Sequence, residues 1–253
     1  MSSIASNLRQ LHDRIADACA RAHRSPSDVA LMAVSKMHPA EAILEAHAAG
    51  QRLFGENRVQ EFAAKHEQLK SSWPSALGGV PSECSLLDGV VGPWPSFHLI
   101  GPLQNNKTAK AAEIFTAIDT LDSLKTAARL NAAAQSLGKI LPILIEVKLS
   151  PEDTKQGLDP QDPLALPNLL AALQPLQHLQ VRGLMTVPPF DPDPETARPY
   201  FQHLRRLRDQ HQTLYPTLTE LSMGMSNDFA VAIEEGSTTV RLGTAVFGKR
   251  TYA

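Results

Sequence analysis

From residue 4 to residue 22, Ile4, Leu8, Leu11, Ile15 and Ala18 recur at helical spacing with Arg, Asp and Gln between them, which predicts an amphipathic helix. Beyond it, short apolar runs alternate with helical stretches. The runs predict strands at 31–35 (LMAVS), 52–56 (RLFGE), 96–101 (SFHLIG), 117–122 (AIDTLD), 143–149 (ILIEVKL), 181–186 (VRGLMT), 220–224 (ELSMG) and 239–248 (TVRLGTAVFG). Helical patterns fall at 39–49, 57–69, 105–112, 123–136, 163–174, 195–212 and 227–235, one after each strand but the last. Eight strands with helical crossovers in about 250 residues is the arithmetic of an α/β chain folded as a (β/α)8 TIM barrel with an extra N-terminal helix. An open doubly wound sheet is the rival. No G-x-G-x-x-G follows the first strand, where such a sheet needs glycines to approach a pyrophosphate.

Residues 71–95 break the alternation, with 4 Pro, 4 Gly and 5 Ser and with Glu83 and Asp88 as the only charges. They read as an irregular insertion in a single domain spanning 1–253, with Trp73 and Trp94 pinning a surface loop to the barrel, or else as a partial lid or a partner-binding loop. Composition narrows the function classes. The 253 residues are 43% hydrophobic and carry 24 Lys+Arg against 26 Asp+Glu, a formal net charge of −2. That balance provides no basic footprint for nucleic acid. No apolar run approaches the roughly 18 residues of a membrane span, and no secretory leader is visible at the N-terminus. Cys19 and Cys84 lack metal-ligand spacing, so a reducing, cytoplasmic setting is expected.

The working face of such a barrel lies where its strands end. Strand 1 ends in Ser35-Lys36 and strand 2 in Glu56-Asn57; Gly224-Met225-Ser226-Asn227-Asp228 follows strand 7, and Gly243-Thr244 lies in strand 8. A lysine at a strand end is usually a solvated charge. Facing the barrel mouth, Lys36 would be desolvated towards the free amine that forms a Schiff base with an aldehyde. Pro39 near the start of the next helix fixes the turn behind it. The loops after strands 7 and 8 are the recurrent phosphate site of the fold. Ser226 could serve there as a phosphate hydroxyl, or simply as a helix cap. Together these features favour a phosphorylated carbonyl ligand, either a sugar phosphate in an aldolase or pyridoxal 5'-phosphate. Arg241, within V-R-L-G, needs a specific acceptor. A pyridine nitrogen would serve, and so would a structural ion pair with Glu146, Glu220 or Glu234.

AVSK (33–36), FGENRVQE (54–61), FHLIGPLQNNK (97–107), RGLMTV (182–187), LSMGMSND (221–228) and VRLGTAVFG (240–248) resemble the pyridoxal phosphate homeostasis proteins, single-domain barrels of the alanine-racemase, fold type III kind. The resemblance runs from about residue 5 to 250. It implies that pyridoxal phosphate is held on Lys36 as an internal aldimine, with Ser226, Gly243 and Thr244 as the phosphate cradle and Arg241 as the partner of the pyridine nitrogen. Asn57 and Met223 become pocket-wall contacts. The implied role is intracellular vitamin B6 and amino-acid homeostasis without catalytic turnover. Whether apo-enzymes that use the cofactor are partners is left open. Two departures from the family pattern stand out, the long 71–95 link and Asn227 in place of an acid. A racemase or decarboxylase of the same fold type is the alternative. A two-base racemase takes its second acid/base from an added C-terminal domain across a dimer, whereas only Lys249 to Ala253 follow strand 8. That leans towards a monomeric binding protein.

Overall fold

The computed structural model describes residues 3–72, 94–149, 157–159 and 161–248. Within them eight strands pair in chain order, every pair parallel, and the last returns to the first. They are β1 (Ala30–Val34), β2 (Leu53–Glu56), β3 (Ser96–Leu99), β4 (Ala117–Leu121), β5 (Leu141–Glu146), β6 (Leu179–Met185), β7 (Glu220–Ser222) and β8 (Thr239–Leu242). Helix α1 (Ile4–Arg21) precedes the barrel. Each strand is then followed by a helix: α2 (Ala40–Ala48), α3 (Val59–Ser72), α4 (Thr108–Ile114), α5 (Leu124–Ser136), α6 (Ala165–Leu173), α7 (Arg198–Gln212), α8 (Phe229–Glu234) and α9 (Thr244–Phe247). The closed ring is the (β/α)8 barrel expected from the alternation and excludes the open sheet.

Alternation along the strands sorts side chains into two layers. Leu31 and Ala33 of β1, Phe97 and Leu99 of β3, Ile143 and Ile145 of β5, and Val240 and Leu242 of β8 belong to the core beneath the helices. The residues between them, Met32, His98, Leu144 and Arg241, therefore face the barrel axis. Helix α1 buries the predicted stripe of Leu8, Leu11, Ile15 and Ala18, and its first turn is capped by the Ser3 side chain. It packs on α8 and α9, where Asn7 donates to the Val246 carbonyl at 2.9 Å.

The last strand differs from expectation. Residues 239–248 do not run on as one strand: β8 stops at Leu242, and Gly243, at φ −102° and ψ −80°, turns the chain into α9. The Val246 and Phe247 amides both donate to the Gly243 carbonyl. A β-like run of apolar residues here serves a helix that buries Val246. Most of the 71–95 insertion, with Trp73 and Cys84, lies outside the described residues. At its far edge Trp94 sits edge-on to His66, 5.7 Å between ring centres, and 6.2 Å from Phe97, so this tryptophan is pinned to the core. No helix among the described residues is long and apolar enough to cross a membrane.

Candidate functional site

Lys36 follows directly on β1. Ser35 points outward, its hydroxyl donating to Glu56 Oε1 at 2.8 Å, so strand parity turns Lys36 to the interior side, above Met32 and Val34. The turn behind it is closely held. The His38 amide donates to the Ser35 carbonyl at 3.0 Å, and Met37 adopts φ 61°, a left-handed conformation that costs a residue with a Cβ roughly 1–2 kcal/mol. The Met37 amide donates to Glu61 Oε1 at 2.6 Å. Pro39 is the N-cap of α2, one position before the helix begins.

Beneath this turn lies a buried ion pair that the sequence reading did not single out. Lys65 of α3 donates to Glu56 Oε1 at 2.6 Å and to the Ser35 carbonyl at 3.0 Å. Glu61 lies 3.7 Å from the same ammonium. Glu56 is fully buried, and its second oxygen has no partner. Burial pushes its carboxyl above the usual range, against the pull of Lys65 and of the Ser35 hydroxyl.

The β7 and β8 loops meet at the same end of the barrel. The Arg241 amide donates to the Gly224 carbonyl at 2.9 Å. Gly224 sits at φ 96°, and a Cβ there would come within 2.6 Å of Ala232 Cβ, so glycine is required on both conformational and steric grounds. Ser226 does not cap α8. The N-cap is Asp228, whose carboxylate folds the 225–228 turn by accepting from the Met225 amide at 2.6 Å. Asn227 donates to the Asp191 carbonyl at 2.8 Å and so ties this loop to the one after β6. A cavity of about 210 Å³ opens between those two loops, lined by Ser226, Met225, Phe190 and Pro194 among others. It reaches Ser226 from the side and does not include Lys36 or Arg241. Gly243 faces Val34: a Cβ added to it would lie 3.4 Å from the Val34 carbonyl oxygen. Thr244 and Ala245 open α9, so their amides have no acceptor within the helix.

Arg241 is 5% exposed. Its Nη1 donates to the Ser222 carbonyl and hydroxyl, both at 2.7 Å, and Nη2 to the Thr186 carbonyl at 2.8 Å. All three acceptors are neutral. Of the carboxylates considered as ion-pair partners, Glu220 pairs with Arg182 at 2.8 Å and Glu234 with Arg198 at 2.8 Å. Glu146 acts on Arg241 only as one of three carboxylates, with Asp119 and Asp228, that oppose the lowering of its pKa by burial. Among the described residues no carboxylate lies within ion-pair distance of this guanidinium. Met223, expected as a pocket wall, belongs instead to the core under the helices. It stands one residue out of phase with Ser222, so its side chain points away from the axis. Asn57 follows Glu56 and by the same alternation faces inward.

At the opposite, N-terminal end of the barrel, His98 Nδ1 lies 3.1 Å from Asp119, beside a second cavity of about 150 Å³ that also takes in Arg182 and Glu220. Burial lowers the His98 pKa, but Asp119 and Glu220 outweigh it and the net shift is upward. The signal for these groups was a polar residue at interior parity in an otherwise apolar strand, F-H-L and I-D-T.

A family model described as alanine racemase, N-terminal domain, matches residues 4–251. The pyridoxal phosphate homeostasis protein of Vibrio cholerae is 40% identical over 260 residues, spanning 100% of this chain and 99% of the relative. That of Escherichia coli is 40% identical over 256 residues, spanning 100% and 99%. Among solved structures, PipY of Synechococcus elongatus with pyridoxal phosphate bound superposes with a TM-score of 0.77 at 40% identity, covering 97% of this chain and 100% of PipY.

Proposed function

Starting from the premise that this chain belongs to the pyridoxal phosphate homeostasis proteins, barrels of the alanine racemase N-terminal domain family, we propose that it binds pyridoxal 5'-phosphate as a Schiff base on Lys36 and serves intracellular vitamin B6 and amino-acid homeostasis. Lys36 would hold the cofactor through its amine, with the aldehyde supplying the carbonyl for that condensation and water as the leaving group. The observation that carries this reading is Arg241. This buried guanidinium makes its direct hydrogen bonds to neutral oxygens, carboxylates act on it only from beyond ion-pair distance, and it shares the interior face with Lys36. A pyridine nitrogen suits it. Ser226, with the Gly243-Thr244 turn, suits a phosphate: a hydroxyl not used as a cap lies at the same end of the barrel as amides that open a helix. Asn57 completes the inward-facing set at the mouth, whereas Met223 has its side chain in the core and its amide and carbonyl bonded to Thr239 and Ser237.

Arg241 stays protonated and can only donate to the ring nitrogen. The ring is then left neutral, a weak electron sink, which favours holding the cofactor over racemisation or decarboxylation. The reading takes 1–253 as one barrel acting as a cytoplasmic monomer, with apo-enzymes that need the cofactor as partners.

The test is peptide mapping after loading with pyridoxal phosphate and borohydride reduction, alongside amino-acid racemase and decarboxylase assays. A reduced adduct on the Lys36 peptide without turnover is expected. No adduct overturns the cofactor assignment, and robust turnover overturns the non-catalytic role. Ser226→Ala should weaken cofactor affinity about tenfold, the size of one charge-assisted hydrogen bond, and leave the melting temperature within a degree or two. Equal loss of binding and stability would make the hydroxyl structural. Arg241→Gln should still form the adduct but shift its absorbance and lower its affinity; an unchanged spectrum would remove Arg241 from the ring.

A further inference from the structure

Glu146 is an interior carboxyl group with no part in holding the cofactor. It is the last residue of β5. Ile145 and Val147 on either side of it lie in the core under the helices, so Glu146 faces the axis at the end of the barrel where Lys36, Ser226 and Gly243 sit. β5 and β1 are four strands apart in a ring of eight, which sets Glu146 across the mouth from Lys36. Its charged neighbours come from several elements. Arg241 faces it from β8, and Asp122 stands beyond the end of β4. Asp119 of β4 and Asp228 at the start of α8 bear on the same guanidinium. Lys148 lies two residues further along the chain, beyond the end of β5, while Met185, the partner of Glu146 on β6, is uncharged. One interior guanidinium thus faces three carboxylates, and Glu146 makes no hydrogen bond or ion pair through its side chain to any described residue.

We infer that Glu146 is a ligand-facing wall of this pocket: it takes up a proton when an anionic pyridine phosphate binds, and in its ionised form it repels that ligand. The inference rests on the cofactor reading and adds a residue that sets which charge state of the pocket accepts it. The charge count gives the direction. A phosphate carries about −1.5 to −2 near neutral pH, and Arg241 is already the shared counter-charge of Asp119, Asp228 and Glu146. A second anion in the same low-dielectric space is accommodated most cheaply by neutralising Glu146, since of these three carboxylates Asp119 is held by His98 and Asp228 by the Met225 amide, whereas the Glu146 side chain bonds to no described residue. Glu146 is suited to this, because burial pushes its pKa up to about 7, with Arg241 pulling it down and Asp122 pushing it further up. A bound anion raises that value again. Binding is then coupled to proton uptake, and affinity declines as pH rises through 7.

The experiment uses pyridoxine 5'-phosphate, which has the ring and the phosphate but no aldehyde, so that Lys36 chemistry does not enter. Calorimetry of the wild-type protein and of Glu146→Gln is run at pH 6, 7.5 and 8.5, in buffers of differing ionisation enthalpy. The wild-type Kd is expected to weaken between pH 6 and 8.5 by about 3–10-fold more than that of Glu146→Gln, up to tenfold for each unit by which the ligand raises the carboxyl pKa. Wild-type binding at pH 7.5 should take up a fraction of a proton that the variant does not. Matching pH profiles and matching proton uptake, with both proteins binding, overturn the role of Glu146 and leave the cofactor reading standing. No binding by either protein at any pH overturns the cofactor reading and this inference with it. Should the variant not fold, the wild-type protein still decides: zero proton uptake at pH 7.5 beyond the ligand's own titration sinks the proposal.

Discussion

Replacing Lys36 with Ala is expected to abolish the borohydride-reducible adduct completely, with the intact mass of the loaded and reduced variant equal to that of the untreated one. The geometry explains why the loss should be total. Lys65, a nearly buried ammonium, donates to Glu56 and to the Ser35 carbonyl on the outer side of the sheet, so it does not face the pocket. Among the described residues Lys148 is a second lysine that strand parity turns to the mouth, and peptide mapping separates it from Lys36. The turn around Lys36 is fixed by bonds the substitution leaves in place, the Met37 amide to Glu61 and the His38 amide to the Ser35 carbonyl. The fold should therefore survive, and non-covalent retention through Arg241 and Ser226 should remain measurable. An adduct that persists in Lys36→Ala, on Lys148 or elsewhere, would end the assignment.

The largest expected loss of stability comes from Lys65→Met. The ammonium and the Glu56 carboxylate are both nearly inaccessible, with side-chain exposures of 7% and 0%. Removing the cation strands a buried carboxylate that already has one oxygen without a partner. Breaking such a pair costs about 3–5 kcal/mol. The cost should depend on pH in a definite direction. The folded-state pKa of Glu56 is already raised by burial and would rise further without Lys65, so the folded state would hold a proton that the unfolded chain releases above about pH 4.5. The gap between variant and wild type should therefore widen as pH rises from 4.5, and denaturant unfolding at pH 4.5 and 7.5 would measure it. The double variant Lys65→Met with Glu56→Gln should recover most of the loss. A loss that does not depend on pH, or that the second substitution fails to rescue, would contradict the ion-pair account. The same variant should also lower the yield of the Lys36 adduct, since Lys65 steadies both Ser35 and Glu61, the two groups that hold the lysine turn.

Where sequence and structure agree, the cause is local. A stripe such as Leu8, Leu11 and Ile15 or a run such as Ile143-Leu144-Ile145 specifies its element through its own periodicity, and eight strand–helix repeats leave few ways to pair parallel strands. The placement of Lys36, Asn57, Ser226, Gly243 and Thr244 at one end followed from the barrel rule, because every parallel strand ends on the same face. The disagreements come from contacts and from strand parity that the local run does not show. The run Thr244-Ala245-Val246-Phe247 reads as strand by propensity, but the turn at Gly243 and docking against α1 make it helix. Met223 lies in a site-like motif, yet strand parity carries its side chain into the core.

By itself, then, the sequence determined the order and kind of the elements, the closed barrel, the family and the face on which chemistry would sit, since these depend on periodicity, turn residues and short motifs readable within a few positions. Only the tertiary structure decided what surrounds each charge. That Arg241 is held by neutral oxygens while Glu220 and Glu234 are taken by other arginines, that Lys65 neutralises Glu56 beneath the Lys36 turn, and that Glu146 shares the interior with Arg241 all depend on pairings across strands and helices up to about a hundred residues apart. Electrostatic energies there are set by distance and by exclusion of water, and a one-dimensional pattern encodes neither.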